Sequence, residues 1–337
     1  MTDEQPSTAP RSTADHVRRW REERSELGLT RATLQRLRDA LGVVELSEWA
    51  DVTNARFEAV EHDVFRLRAS ADQTERVVAV WTFMTWLETI GGETDTQISV
   101  ITPTHDRRPY LERAIASVFA QRHRNLELIV VDDASEDDTQ EMLAAIEDPR
   151  LRVVDSPGGG PCVARNLGLD HATGSIIAYL DDDNIMHPMW LRAVGWAFER
   201  SPESELLYGA RLVDDDEAIH GREAGGWPML LFPRFDRAKL ERANLADQNV
   251  IAHRAGLPDA RFDEALREFG DWDLFLRMTE HRVPMELPAI ACCYSTAAPG
   301  RLTGSAEGPR EIEHILAKGA DPPAGPVRPS APGRAEP

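Results

Sequence analysis

Ile176-Ile177-Ala178-Tyr179-Leu180-Asp181-Asp182-Asp183-Asn184 decides the reading of this chain. A short run of buried-strand type passes directly into three carboxylates. Three adjacent anions repel one another. A divalent cation shared with an anionic ligand removes that repulsion. Mg²⁺ suits such a place, because it takes one or two carboxylates plus substrate phosphates. On an extended segment alternate side chains share a face. Asp181 and Asp183 would then point one way and Asp182 the other. A solvated acidic turn is the plain alternative, but the place of the triplet at the end of a strand favours the metal.

The strand is one of a series. Residues 98–102 and 126–131 read as strands, the second ending at Asp132-Asp133. Residues 109–121 read as a helix with Leu111, Ile115, Val118 and Phe119 on its apolar side. Ser135-Glu136-Asp137-Asp138 offers side-chain oxygens to cap a helix reaching about residue 147. A third strand (151–154), a helix (162–171) and, beyond the triplet, a helix over 188–200 come next. Near-continuous apolar strands alternating with helices predict a parallel sheet covered on both faces. Ligands bind beyond the carboxyl ends of such strands, and Thr102, Asp133 and Asp181 to Asp183 all stand there. The loop Gly158-Gly159-Gly160 lacks the Lys-Ser/Thr of a P-loop and the spacing of a dinucleotide fingerprint, so it reads as a mobile connector. After about Ser204 the alternation weakens. Residues 265–280 read as a helix containing Glu268, Asp271 and Asp273.

Composition bounds the rest. The 337 residues, 42% hydrophobic and 28% charged, suit a globular protein of more than one domain. A net charge of −20 excludes general nucleic-acid binding, which needs excess Lys and Arg. An anionic small substrate would need a local cation. No apolar run is long enough to span a bilayer, and the first ten residues lack a signal peptide's apolar stretch, so a cytoplasmic protein is expected. Cys162, Cys292 and Cys293 are too few for a disulfide framework and show no zinc spacing; they read as buried thiols. The chain divides into a disordered start (1–13), a helical extension (14–92), an α/β domain (93–303) and a C-terminal segment with a disordered tail (304–337). The extension carries the repeat Val77, Val80, Trp81, Met84 and Leu87, and its helices offer a surface to a protein partner.

Five motifs, in order, resemble the inverting family-2 glycosyltransferases of the GT-A fold, a Rossmann-like, mainly parallel sheet flanked by helices. They are Ile98 to Thr104, Val130-Val131-Asp132-Asp133-Ala134-Ser135, Gly160-Pro161-Cys162-Val163-Ala164-Arg165-Asn166, Tyr179 to Asn184, and Phe269-Gly270-Asp271-Trp272-Asp273-Leu274. The resemblance covers about residues 97–298. It implies a nucleotide-sugar donor, most simply a UDP-sugar, and an inverting transfer to a hydroxyl or amine. Thr102, Thr104 and Asp133 would then meet the nucleotide, Arg165 would line its diphosphate pocket, and Asp182 would contact ribose or sugar. Asp183, assisted by Asp181, would bind Mg²⁺ or Mn²⁺, and Asp271 would be the general base. Many relatives have Glu before that base, where this chain has Gly270, which leaves Asp273 and Glu268 as alternatives. Arg301 could close over the diphosphate. Two rivals remain. A sugar-1-phosphate nucleotidyltransferase would show a Gly-rich loop with Lys after the first strand, where Thr104-His105-Asp106-Arg107-Arg108 stands. A non-catalytic nucleotide-sugar-binding or scaffold protein could keep the fold and lose the base.

Overall fold

The computed structural model describes residues 71–89, 94–214, 229–295 and 308–318. The start and tail expected to be disordered, most of the expected helical extension and Arg301 lie outside the described residues.

Three parallel strands form the heart of the sheet: β1 (Ile98–Thr104), β2 (Leu126–Asp133) and β4 (Ile176–Tyr179). β3 (Leu151–Ser156) adds a fourth beside β2. Every residue of β1 and β4 is buried, which explains why neither alternates in sequence. Helices α2 (Arg108–Phe119), α3 (Thr139–Ala144) and α4 (Pro161–His171) make the crossovers. The register pairs Ile98 with both Leu126 and Ile176, and Thr104 with Asp132. The three strands therefore start level; β4 ends opposite Ile101 while β1 and β2 run on, and the segments that leave them meet at one rim.

Beyond β4 the sheet becomes mixed. β5 (Ile185–Met186), helix α5 (Trp190–Arg200), β6 (Leu206–Asp214), β7 (Met229–Leu231), the short helix α6 (Arg237–Leu240), β8 (Ile251–Arg254), helix α7 (Gly270–Met278) and β9 (Met285–Ser295) complete it. The order among the described strands is β3-β2-β1-β4-β8-β6-β9-β5, with β7 beside β6. β8 runs antiparallel to both β4 and β6, while β6 and β9 are parallel. Where alternation weakens after residue 204, the described residues still form strands of the same sheet.

Two helices bracket the sheet. α1 (Ala71–Thr89) packs on β9 and buries Val77, Val80, Phe83, Met84 and Leu87 in the same core as the parallel strands. Arg76 pairs with Glu286 at 2.5 Å, and Trp86 meets Trp196 of α5 edge-on at 5.1 Å. α8 (Gly308–Lys318) docks on the segment before α7, with Ile315 buried. No helix among the described residues is long and apolar enough to cross a membrane.

Candidate active site

A cavity of about 570 Å³ opens at the rim where β1, β2 and β4 end. Thr104, Asp133, Arg165, Asp181, Asp182, Asp183 and Asp271 all line it. The structure thus brings together every residue assigned a role above except Thr102. Thr102 lies two residues short of the end of β1, buried and outside the cavity, its hydroxyl without a hydrogen-bond partner.

The carboxylate triplet does not continue β4 as an extended strand. It folds into a turn in which the Asn184 N–H donates to the Asp181 carbonyl at 3.1 Å. The expected alternation is therefore replaced: all three carboxylates reach the cavity, each with different partners. Asp181 accepts from Arg165 Nη2 at 2.7 Å, from Asn249 Nδ2 at 2.9 Å and from Gln248. Asp182 accepts from the Thr104 hydroxyl at 2.8 Å and from Arg107 at 3.0 Å. Asp183 accepts from the same Arg107 nitrogen at 3.1 Å. Burial pushes the Asp182 pKa up, against the pull of Arg107 and the Thr104 hydrogen bond. Among the described residues no three His, Cys, Asp or Glu side chains form a ready metal-ligand cluster. Asp182 and Asp183 already share one cation, however, and two hard carboxylates completed by diphosphate oxygens are a set that Mg²⁺ or Mn²⁺ accepts.

The wall opposite is built around Asp133. Its Oδ1 accepts from the Ser156 hydroxyl at 2.6 Å and its Oδ2 from the Gly160 N–H at 2.7 Å. Gly158, Gly159 and Gly160 have φ values of +95°, +155° and +93°, which side-chain-bearing residues rarely adopt. The three glycines that read as a mobile connector are thus a shaped loop, tied to the carboxylate at the end of β2. Each Asp133 oxygen keeps acceptor capacity beyond these bonds.

Asp271 stands in the first turn of α7. Its Oδ1 accepts from the Trp272 N–H at 2.7 Å and its Oδ2 from Asn244 Nδ2 at 2.9 Å. Burial raises its pKa to about 6, with Arg165 pulling the other way. A carboxylate with that pKa is poised to accept a proton near neutral pH. The two alternatives separate by position. Asp273 points away from the cavity, bound to Arg277 at 2.8 Å and Lys318 at 2.6 Å. Glu268 lines the cavity from the preceding loop.

Gly270 has a local cause. A Cβ there would lie 2.3 Å from the Cys162 sulfur, on the facing end of α4. A side chain before Asp271 would therefore require that thiol to move. Burial pushes the Cys162 pKa up to about 12, so it is a packing group and not a nucleophile. Glu311 of α8 then fixes the approach to α7, accepting from the backbone N–H groups of Arg267, Glu268 and Phe269 at 2.8, 2.9 and 3.0 Å. Sequence reasoning misses Arg107, Asn244, Gln248, Arg267 and Glu311 as parts of the site. Of these only Arg107 carries a signal, because it stands three residues beyond the end of β1.

Residues 99–249 match the model of the family described as "Glycosyl transferase family 2". An uncharacterized glycosyltransferase of Rickettsia conorii is 42% identical over 94 residues, 28% of this chain and 16% of the relative. An uncharacterized glycosyltransferase of Rickettsia bellii is 37% identical over 194 residues, 56% of this chain and 27% of the relative. The chain thus spans a minor part of both. Among solved structures, residues 1–349 of S. aureus TarS in complex with UDP-GlcNAc superpose with a TM-score of 0.51 at 19% identity, covering 65% of this chain and 64% of that one. Residues 99–249 of this chain thus match glycosyl transferase family 2, and the α/β domain that carries the five motifs around one cavity has the GT-A fold.

Proposed function

We propose that this chain is a metal-dependent inverting glycosyltransferase that moves a sugar from a UDP-sugar to a hydroxyl or amine. One observation carries the reading: a carboxylate poised near pH 6, Asp271, shares a single cavity with the Asp181-Asp182-Asp183 turn and Asp133. In this reading Thr104 and Asp133 bind the nucleotide, since a carboxylate can accept the ring N–H of uracil. Thr102 acts behind Thr104 and not on the base directly. Arg165 and Asp182 hold the diphosphate and the ribose or sugar. Because Arg165, Gln248 and Asn249 take up Asp181, Asp183 and Asp182 rather than Asp183 and Asp181 would hold Mg²⁺ or Mn²⁺, which would offset charge on the departing nucleoside diphosphate. The acceptor oxygen or nitrogen attacks the anomeric carbon from the face opposite the diphosphate. Its proton passes to an Asp271 oxygen as the bond from carbon to the diphosphate oxygen breaks. The scaffold alternative loses its ground, because Gly270 follows from Cys162 packing and leaves Asp271 in the cavity.

The TarS fragment that shares this fold is complexed with UDP-GlcNAc, which supports UDP as the first probe. Calorimetric titration of UDP, GDP and dTDP, each with Mn²⁺ and with EDTA, tests the reading. The expected result is UDP binding that needs Mn²⁺. Binding of none of the three, with the protein folded, would reject the donor assignment.

A further inference from the structure

Arg107 stands three residues beyond the end of β1, and one guanidinium nitrogen bridges Asp182 and Asp183 at 3.0 and 3.1 Å. Both carboxylates are largely buried, with side-chain exposures of 7% and 10%. Buried carboxylates at this separation require a cation, since one left without it is strongly unfavourable. In the free protein, then, an arginine meets the charge demand that the triplet otherwise places on a metal. The same two carboxylates are those assigned above to the divalent cation. A guanidinium and a divalent ion cannot both occupy the space between them.

We infer that Arg107 and the divalent cation exchange on Asp182 and Asp183: Arg107 holds the carboxylates in the free protein, and the arriving cation–diphosphate pair displaces it onto the diphosphate. The inference rests on the metal-dependent reading of the site. Charge and geometry carry it. The planar guanidinium is suited to phosphate oxygens as well as to carboxylates, so the released side chain gains an anionic partner when the donor arrives. The cation alone brings no such partner and must displace Arg107 without compensation. Metal and nucleotide therefore bind cooperatively, each raising the affinity for the other by the same factor. In a chain of net charge −20, the exchange also keeps the cavity from presenting bare carboxylates to an anionic donor.

The experiment titrates Mn²⁺ alone into the full chain and follows free Mn²⁺ by electron paramagnetic resonance, then repeats the titration with UDP. Arg107→Met removes the competitor and is expected to bind Mn²⁺ alone about tenfold tighter than wild type, between the Coulomb effect of one close charge in bulk water and that near a protein surface. UDP should then raise Mn²⁺ affinity less in the variant than in wild type. Arg107→Lys keeps a charge for folding but not the planar fork, and should bind Mn²⁺ alone about threefold tighter. It decides the matter where the methionine variant does not fold. Equal or weaker Mn²⁺ binding in the folded variants overturns the exchange. Wild-type protein that shows no coupling of Mn²⁺ to UDP overturns the metal reading itself, and the exchange with it. Coupled binding in wild type without a gain in the variants overturns the exchange alone.

Discussion

At Asp271 burial and chemistry pull in opposite directions. Desolvation lifts its pKa from the ordinary 3.8 to about 6, with Arg165 opposing and Asp181 reinforcing the rise. The folded protein then binds that proton more tightly than the unfolded chain does. The stability this proton contributes is complete below about pH 3.8 and is lost as pH rises through 6. Asp271→Asn removes the titration. We expect it to raise stability by about 1–3 kcal/mol at pH 8 and by little at pH 4. The same change should lower transfer at least about a hundredfold while donor binding persists, because a general base acts on the acceptor. Thermal melts at both pH values and a turnover assay check the pair. The wild-type kcat/KM should fall on the acid side near pH 6, since only the ionised carboxylate accepts a proton. A variant that keeps its turnover would remove Asp271 from the chemistry. The family resemblance of residues 269–274 points to Asp271 as a site residue, and Asp271 lines the cavity. Its raised pKa was not legible, because the burial that lifts it, like Arg165 and Asn244 that oppose the rise, comes from distant parts of the chain.

At the scale of elements, the site depends on how helix ends meet. The N-terminus of α4 presents Cys162 to the N-terminus of α7, and Gly270 leaves room for its sulfur. Adding a methyl group at Gly270 should cost about 1–3 kcal/mol through overpacking. Cys162→Ala vacates the same space, so Gly270→Ala in that background should cost markedly less, a coupling that a double-mutant cycle by urea unfolding measures. Losses that simply add would show that the two helix ends do not press on each other. The contact also marks what sequence could not reveal. β1, β2 and β4 were legible because buried parallel strands read as continuous apolar runs, and the polar residues at their ends stood out against them. β6, β8 and β9 pair across 30 or more residues, so no local pattern announced them. The clamp of Glu311 on residues 267–269 joins segments more than 40 residues apart, and a short run of Glu, Ile and His near a Pro-rich end gave no sign of it.

For the whole molecule, composition and packing divide the chain differently. Gly91-Gly92 and the change of texture after it place a boundary near residue 92. The core ignores that boundary: Val80 and Leu87 of α1 are wholly buried in the same cluster as β1, β4, β6 and β9. Each such side chain contributes about 1.5–3 kcal/mol by leaving water, and Arg76 adds its pairing with Glu286 and a hydrogen bond to the Pro233 carbonyl at 2.8 Å. A domain of this size is stable by only about 5–15 kcal/mol, so losing α1 removes much of the margin. We predict that a chain lacking residues 1–92 unfolds early or aggregates, and that Leu87→Ala in the full chain lowers the stability of the glycosyltransferase domain by about 2–5 kcal/mol. Denaturant unfolding followed by UDP–Mn²⁺ binding reads both. If α1 were a separate module, Leu87→Ala would leave nucleotide binding untouched through the denaturant range where wild type binds. If α1 is part of the core, binding and fold are lost together at a lower denaturant concentration, because the sheet that α1 covers is the same sheet whose rim holds Asp133 and the carboxylate turn.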